Sequence, residues 1–244
     1  MSPHSPTSRR RFLASLAGFP FFWRRPYVTL AGIRFRRYRR EPSRHRYLLI
    51  HGDESTAREV LTDFMKYARG VAFLVSNGTR TVPFDGGELD PNRMFSAEGA
   101  RKNLRALNPG WTERQVDRAV AELDRGRPAL LRALAPPPGG RIVTLHNNAH
   151  GYSMEDELAA SDRTALHDRV HPREFMLCTD PGDFERLARG GYNVLLQKNG
   201  PPEDDGSLSR LAAREGFRYV NIEAALGEKD KQRRMLDFLE SSLP

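Results

Sequence analysis

Short runs of β-branched and aromatic residues alternate with amphipathic helical stretches, and that alternation restricts the architecture of this chain more than any other feature. Strands separated by helices cannot pair as tight hairpins. They pair side by side and in parallel, with the connecting helices falling on both faces of the sheet. The pattern predicts one α/β domain built on a mostly parallel sheet, and 244 residues are enough to bury such a core without staples.

The pattern places strands over residues 27–35, 47–50, 71–76, 141–145, 175–179, 192–197 and 219–222. Helices are expected from residue 56, where Thr56-Ala57-Arg58-Glu59 has the form of a capping box, and from a Thr112 cap to about residue 125. Three more are expected over 184–188, 208–214 and 229–239. Asn77-Gly78, Gly86-Gly87 and Asp90-Pro91 mark residues 77–94 as a long loop, and the stretch after residue 145 reads as irregular and polar. No internal repeat is present.

Open sheets of this kind bind ligands beyond the carboxyl ends of their strands, so the residues just after each strand matter most. One strand runs into His51-Gly52-Asp53-Glu54, another into His146-Asn147-Asn148, and a third into Glu223. Two histidines and a carboxylate are a common zinc ligand set that leaves a fourth position for water. His51 and Glu54 flank a glycine turn and can converge on one ion, with His146 completing the set from a neighbouring strand. Glu223 is then a spare carboxylate placed to act as general base. The competing chelates are His146 with His150, and His167 with His171, each pair four residues apart; they would need a helical backbone. The single cysteine, Cys178, excludes an internal disulfide framework and a Cys-rich zinc ribbon.

At these residues the chain resembles the zinc carboxypeptidase superfamily, including its succinylglutamate desuccinylase and aspartoacylase branch. His51-Gly52-Asp53-Glu54 matches that superfamily's His-x-x-Glu, and Asp90-Pro91-Asn92-Arg93-Met94-Phe95 matches its Asp-x-Asn-Arg-x-Phe segment. His146 matches the third ligand, and Val220-Asn221-Ile222-Glu223-Ala224 the catalytic glutamate segment. The matches keep their order over residues 47–240. The resemblance implies a three-layer αβα fold with a mostly parallel mixed sheet, one zinc per chain, and hydrolysis of an amide beside a carboxylate. It assigns Asn92 and Arg93 to the substrate carboxylate, a role suited to a bidentate guanidinium; the alternative for Arg93 is a surface ion pair. It also implies an arginine ahead of that pair to stabilise the oxyanion. Arg80 is the available candidate, about a turn's length from the expected place. Asn147 and Tyr152 flank the site as candidate substrate-binding groups, with buried structural bonding as the alternative.

The net charge of +8 is not spread evenly. Residues 1–46 hold twelve arginines and one acid, Glu41, a local charge of +11, which leaves −3 for the other 198 residues. A nucleic-acid enzyme more often distributes its basic residues around the cleft, so no nucleic-acid partner is expected. Ser8-Arg9-Arg10-Arg11-Phe12-Leu13 has the form of a twin-arginine export signal, and the apolar residues 12–23 that follow suit its hydrophobic region. They are too few to form a stable membrane span. Residues 1–26 therefore read as a basic arm or signal, and residues 27–244 as the domain. With a signal the protein is periplasmic or otherwise exported; without one it is cytoplasmic.

The expected function is zinc-dependent hydrolysis of an amide in a peptide or N-acyl amino acid that carries a free carboxylate. The alternative is a non-catalytic carboxylate- or peptide-binding domain that kept the fold. Nothing in the sequence sets an oligomeric state.

Overall fold

The computed structural model describes residues 26–40, 42–148, 151–199 and 203–243. The export-signal motif and His150 lie outside them.

A hairpin opens the fold: β1 (Tyr27–Leu30) and β2 (Ile33–Arg40) pair antiparallel, where the sequence pattern had suggested one strand. The break is Ala31-Gly32, whose φ angles of 49° and 80° make the two-residue loop that hairpin twist favours. Next come β3 (Arg46–Leu49), α1 (Ser55–Phe64) and β4 (Gly70–Val75). The expected long loop contains a small separate hairpin, β5 (Val82–Phe84) with β6 (Gly87–Leu89), followed by a single 3₁₀ turn at Pro91–Arg93.

Then follow α2 (Ala97–Leu107), α3 (Glu113–Leu134) and β7 (Ile142–Asn148). The sequence pattern had no helix at α2, because its apolar stripe is thin: only Gly99, Ala100 and Leu104 are buried. Gly99 is needed there, since a Cβ would stand 2.2 Å from the Gly206 backbone. The Thr112–Gln115 capping box forms, but α3 runs through Pro128, well beyond residue 125. Buried Leu130 and Leu134 hold its last turns to the core despite the lost backbone bond.

The remainder is α4 (Glu155–Leu158), β8 (Arg163–Ala165), β9 (Phe175–Cys178), α5 (Pro181–Leu187), β10 (Asn193–Leu196), α6 (Leu208–Glu215), β11 (Tyr219–Ala225) and α7 (Lys229–Ser242). Nine strands form one mixed sheet in the order β1-β2-β4-β3-β7-β11-β9-β10-β8. Its centre, β4-β3-β7-β11, is parallel throughout, while β2, β9 and β10 run the other way.

The layers follow from period-two alternation. Leu48 and Ile50 join the core under α2, α3 and α6, and Tyr47 and Leu49 the core under α1, α5 and α7. The result is a three-layer αβα sandwich. The predicted Thr56–Glu59 capping box is absent. Glu54 is the N-cap, so Thr56 lies already inside α1, and its Oγ1 accepts a bond from the Gly227 N–H instead.

Candidate metal centre and active site

Neighbouring parallel strands bring three ligand types to one place. His51 follows β3, Glu54 caps the helix that leaves it, and His146 lies near the end of β7, next in the sheet. The His51 ring lies 2.8 Å from Glu54 Oε1, which is 3.1 Å from His146 Nδ1, and the two imidazole centroids are 5.2 Å apart. All three are buried, and their donor atoms lie within 4.8 Å of one another, forming the only cluster of its kind among the described residues. Zinc bonds of 2.0–2.1 Å would set tetrahedral ligands roughly 3.3 Å apart, close to these spacings.

A cation suits this cluster on a second count. Glu54 Oε2 is buried and has no hydrogen-bond partner among the described residues, a costly state for a carboxylate oxygen unless something positive faces it. Asp90 completes the arrangement from behind: its Oδ1 sits 2.8 Å from His51 Nε2, fixing that ring so that Nδ1 faces Glu54. Asp90 is itself held, accepting from the Asn92 N–H and donating its own N–H to Asn103. Burial alone would depress the His51 imidazole, but the bonds to Asp90 and Glu54 prevail and push it up to about 9. Burial likewise opposes ionisation of Glu54 and Asp90, yet the facing histidines hold each carboxyl near 2.

Glu223 lies within β11, not after it, and pairs in register with His146. Cross-strand partners share a face, so both side chains look into the same cavity of about 360 Å³. Asn221 and Asn148 donate to its two carboxylate oxygens at 3.1 and 3.3 Å. Complete burial raises its pKa above the ordinary range, aided by the Glu54 charge and opposed by His146 and the two amides. A cation beside it would oppose that rise.

The extent of β7 decides Asn147. The strand runs to Asn148, so Asn147 points to the face opposite His146. Its Oδ1 accepts from the Ala57 N–H at 2.7 Å, capping α1 where Glu54 makes no side-chain cap bond, and its Nδ2 donates to Gln232 on α7. Gln232 in turn donates to the His146 carbonyl at 2.8 Å. Both ends of the Asn147 amide are thus bonded to the protein, and the residue lines the cavity as well.

Arg80 reaches the rim from a loop pressed against the turn at Gly52. A Cβ at Gly52 would stand 2.4 Å from the Asn77 carbonyl, so only glycine permits that approach. Its guanidinium, 52% exposed, is 3.8 Å from both Glu54 and Asp90. Asn92 and Arg93 also line the cavity. Asn92 Oδ1 accepts from Leu208 N–H at the start of α6, and Arg93 is 3.6 Å from Asp205 at 32% exposure. Tyr152, half-buried, donates to Glu157, which also accepts from Gln197, and Gln197 accepts from Arg210. Burial pushes the Tyr152 hydroxyl up.

The competing pair does not chelate. His167 and His171 are exposed on non-helical backbone, bonded to the Ala188 carbonyl and to Asp168 respectively. Sequence reasoning missed Asp90 as the partner of His51, and Glu157 and Arg210 as cavity residues. For Asp90 the signal was present, since it heads the Asn92-Arg93 segment. For the other two nothing local marks them.

No family profile and no curated protein sequence matches the chain. Among solved structures it is similar to a candidate metallopeptidase from Shewanella denitrificans, at 14% identity and a TM-score of 0.44 over 86% of this chain and 77% of that one. It is also similar to a succinylglutamate desuccinylase/aspartoacylase from Rhodobacter sphaeroides, at 15% identity, TM-score 0.44 and 86% coverage, spanning 59% of that protein. A third is an ectoine utilization protein from Ruegeria pomeroyi, with 14% identity, TM-score 0.46 and 85% coverage, of which the chain spans 59%.

Proposed function

We propose that residues 27–244 form a zinc-dependent hydrolase that cleaves an amide bond in a peptide or N-acyl amino acid bearing a free carboxylate. The observation that carries this reading is the meeting of His51, Glu54 and His146 around the unpartnered Glu54 Oε2, with Glu223 in register beside them. His51, Glu54 and His146 would hold one zinc, which when bound supplies a Lewis acid and a water of lowered pKa.

The chain's own groups do the rest. Glu223, buried and biased towards holding a proton, takes one from the attacking water and returns it to the leaving amine. Its two amide donors, Asn148 and Asn221, aim the carboxylate and resist its rotation. Arg93 and the Nδ2 of Asn92 bind the substrate carboxylate, and Arg80 faces the oxyanion as the amide carbonyl becomes tetrahedral. Tyr152, which also lines the cavity, borders the substrate. The two histidine ligands and the caged Glu223 favour catalysis over carboxylate binding alone.

The twin-arginine reading of the N-terminus makes the protein an exported one acting on peptides outside the cytoplasm. A cytoplasmic chain would suit a small-molecule deacylase. No helix among the described residues is long and apolar enough to cross a membrane.

The test is a screen of peptides and N-acyl amino acids with the zinc-loaded chain, each substrate offered as free acid and as amide. Hydrolysis of free acids in preference to amides is expected. Stoichiometric zinc without turnover on any substrate would favour the non-catalytic binding domain.

A further inference from the structure

Gln232 is a polar residue in an apolar layer. The other residues that α7 buries are Met235, Leu236 and Leu239, which join Val60, Leu61 and Phe64 of α1 in the core on that face of the sheet. Among them Gln232 is completely buried. A primary amide is costly in such a place unless its donor and its acceptor are both met. Here they are: Nε2 donates to the His146 carbonyl at 2.8 Å, and Oε1 accepts from Asn147 Nδ2 at 3.2 Å.

Both partners belong to the stretch of β7 that carries His146. β3 pairs with β7 only as far as Leu48 and Thr144, and it ends at Leu49. Beyond that register β7 has a strand neighbour only in β11 among the described residues. Gln232 therefore supplies a side-chain donor where pairing with β3 has run out. Asn147 carries the tie onward. Its Oδ1 accepts from the Ala57 N–H at 2.7 Å, three residues after Glu54, the N-cap of α1. The same helix start is held again by the Gly227 N–H, which donates to Thr56 Oγ1 just ahead of α7. One chain of hydrogen bonds thus runs from α7 through β7 to the helix start that bears Glu54.

We infer that Gln232 is a positioning residue of the metal centre: through Asn147 and the His146 carbonyl it fixes the spacing between His146 and Glu54. The inference rests on the metal reading proposed above. Ligands from separate elements bind an ion best when they already stand at the right separation, because any ordering needed on binding is subtracted from the affinity. His146 Nδ1 and Glu54 Oε1 stand 3.1 Å apart, on two elements that Asn147 and Gln232 join from behind. Gln232 does not line the cavity, so it acts on the ligands through the backbone and not on a substrate.

The test is a chelator-competition measurement of zinc affinity on the full chain, wild type beside Gln232→Met. Methionine is unbranched and of similar length, fills the same space and removes both bonds. Affinity should fall by about tenfold, the lower end for partners that orient a ligand, because Gln232 bonds the backbone and not the imidazole. The control is Asn193→Leu. Asn193 is another completely buried amide, bonded to the backbone of His167, Asp168 and Glu174 beside β10, away from the cavity. That variant should melt at a lower temperature yet keep the wild-type affinity. Gln232→Asn, too short to reach both partners but still polar, keeps the test open should the Met variant not fold, and should also bind zinc more weakly. Unchanged affinity in the Gln232 variants would overturn the assignment. So would an equal loss in Asn193→Leu, since affinity would then follow stability alone. A wild type that holds no zinc would bring down the metal reading and this inference with it. A zinc-binding wild type beside an unaltered Gln232→Met would bring down this inference alone.

Discussion

The floor of the cavity and its rim are built differently. On the floor, His51, Glu54, His146 and Glu223 are all buried, and each is fixed by the sheet or by a helix start. On the rim, Arg80 is 52% exposed and Arg93 is 32% exposed, and their ion-pair distances of 3.6–3.8 Å are loose. A charged group buried in low dielectric must be matched or it unfolds the site, so the floor tolerates almost no change. A solvated arginine loses less when its partner goes. Substitutions should therefore fall in severity from floor to rim, and that gradient is where the comparison can be broken.

The largest effect is expected for Glu54→Gln. It removes the only acid among the three proposed ligands while leaving two buried histidines, and hydrolysis should disappear altogether. Retained turnover would show that the metal, or the chemistry, lies elsewhere. Next is Glu223→Gln, which preserves shape. Steady-state kinetics should show kcat lower by roughly 10²–10⁴-fold with little change in KM, as expected for a lost general base. A variant that lost zinc instead would make Glu223 a ligand.

Asp90→Ala sharpens the floor. Asp90 touches no substrate in this account, yet it orients His51, and such outer partners typically matter by about 10–100-fold in metal affinity. A chelator competition titration reads that shift directly; no shift would make the His51–Asp90 bond incidental. For the rim, Arg93→Ala should raise KM for free acids by about tenfold, the lower end for a charge-assisted bond because the group is partly solvated. Equal losses on acids and amides would remove Arg93 from carboxylate recognition. The smallest effect belongs to Glu215, the exposed last residue of α6, where Gln should change stability by no more than about 0.5 kcal/mol and leave kcat alone.

The same contrast explains what could be read from the sequence. The four central strands are runs buried on both faces, a signal that survives without tertiary information, and it placed His51 just beyond β3, whereas His146 and Glu223, expected after their strands, lie inside β7 and β11. The phase at a strand's end was harder to read. Polar residues at 146–148 look like a loop, yet β7 carries all three, and the strand's alternation turned Asn147 to the far face. Thr56–Glu59 failed as a cap for a similar reason: the N-cap of α1 is Glu54, two residues earlier, and the side chain that caps the helix start is that of Asn147. Glu157 and Arg210 were not legible, because the Gln197 bridge that joins them connects positions far apart in the chain.

The proposed hydrolysis rests on His51, Glu54 and His146 holding one metal ion. The direct measurement is elemental analysis of the purified chain beside its His146→Ala variant, after both are dialysed against the same trace of zinc. The account predicts one zinc per wild-type chain and almost none in the variant, with both still folded by circular dichroism. A variant that keeps its full zinc would contradict it, and would move the metal to a site that does not include His146.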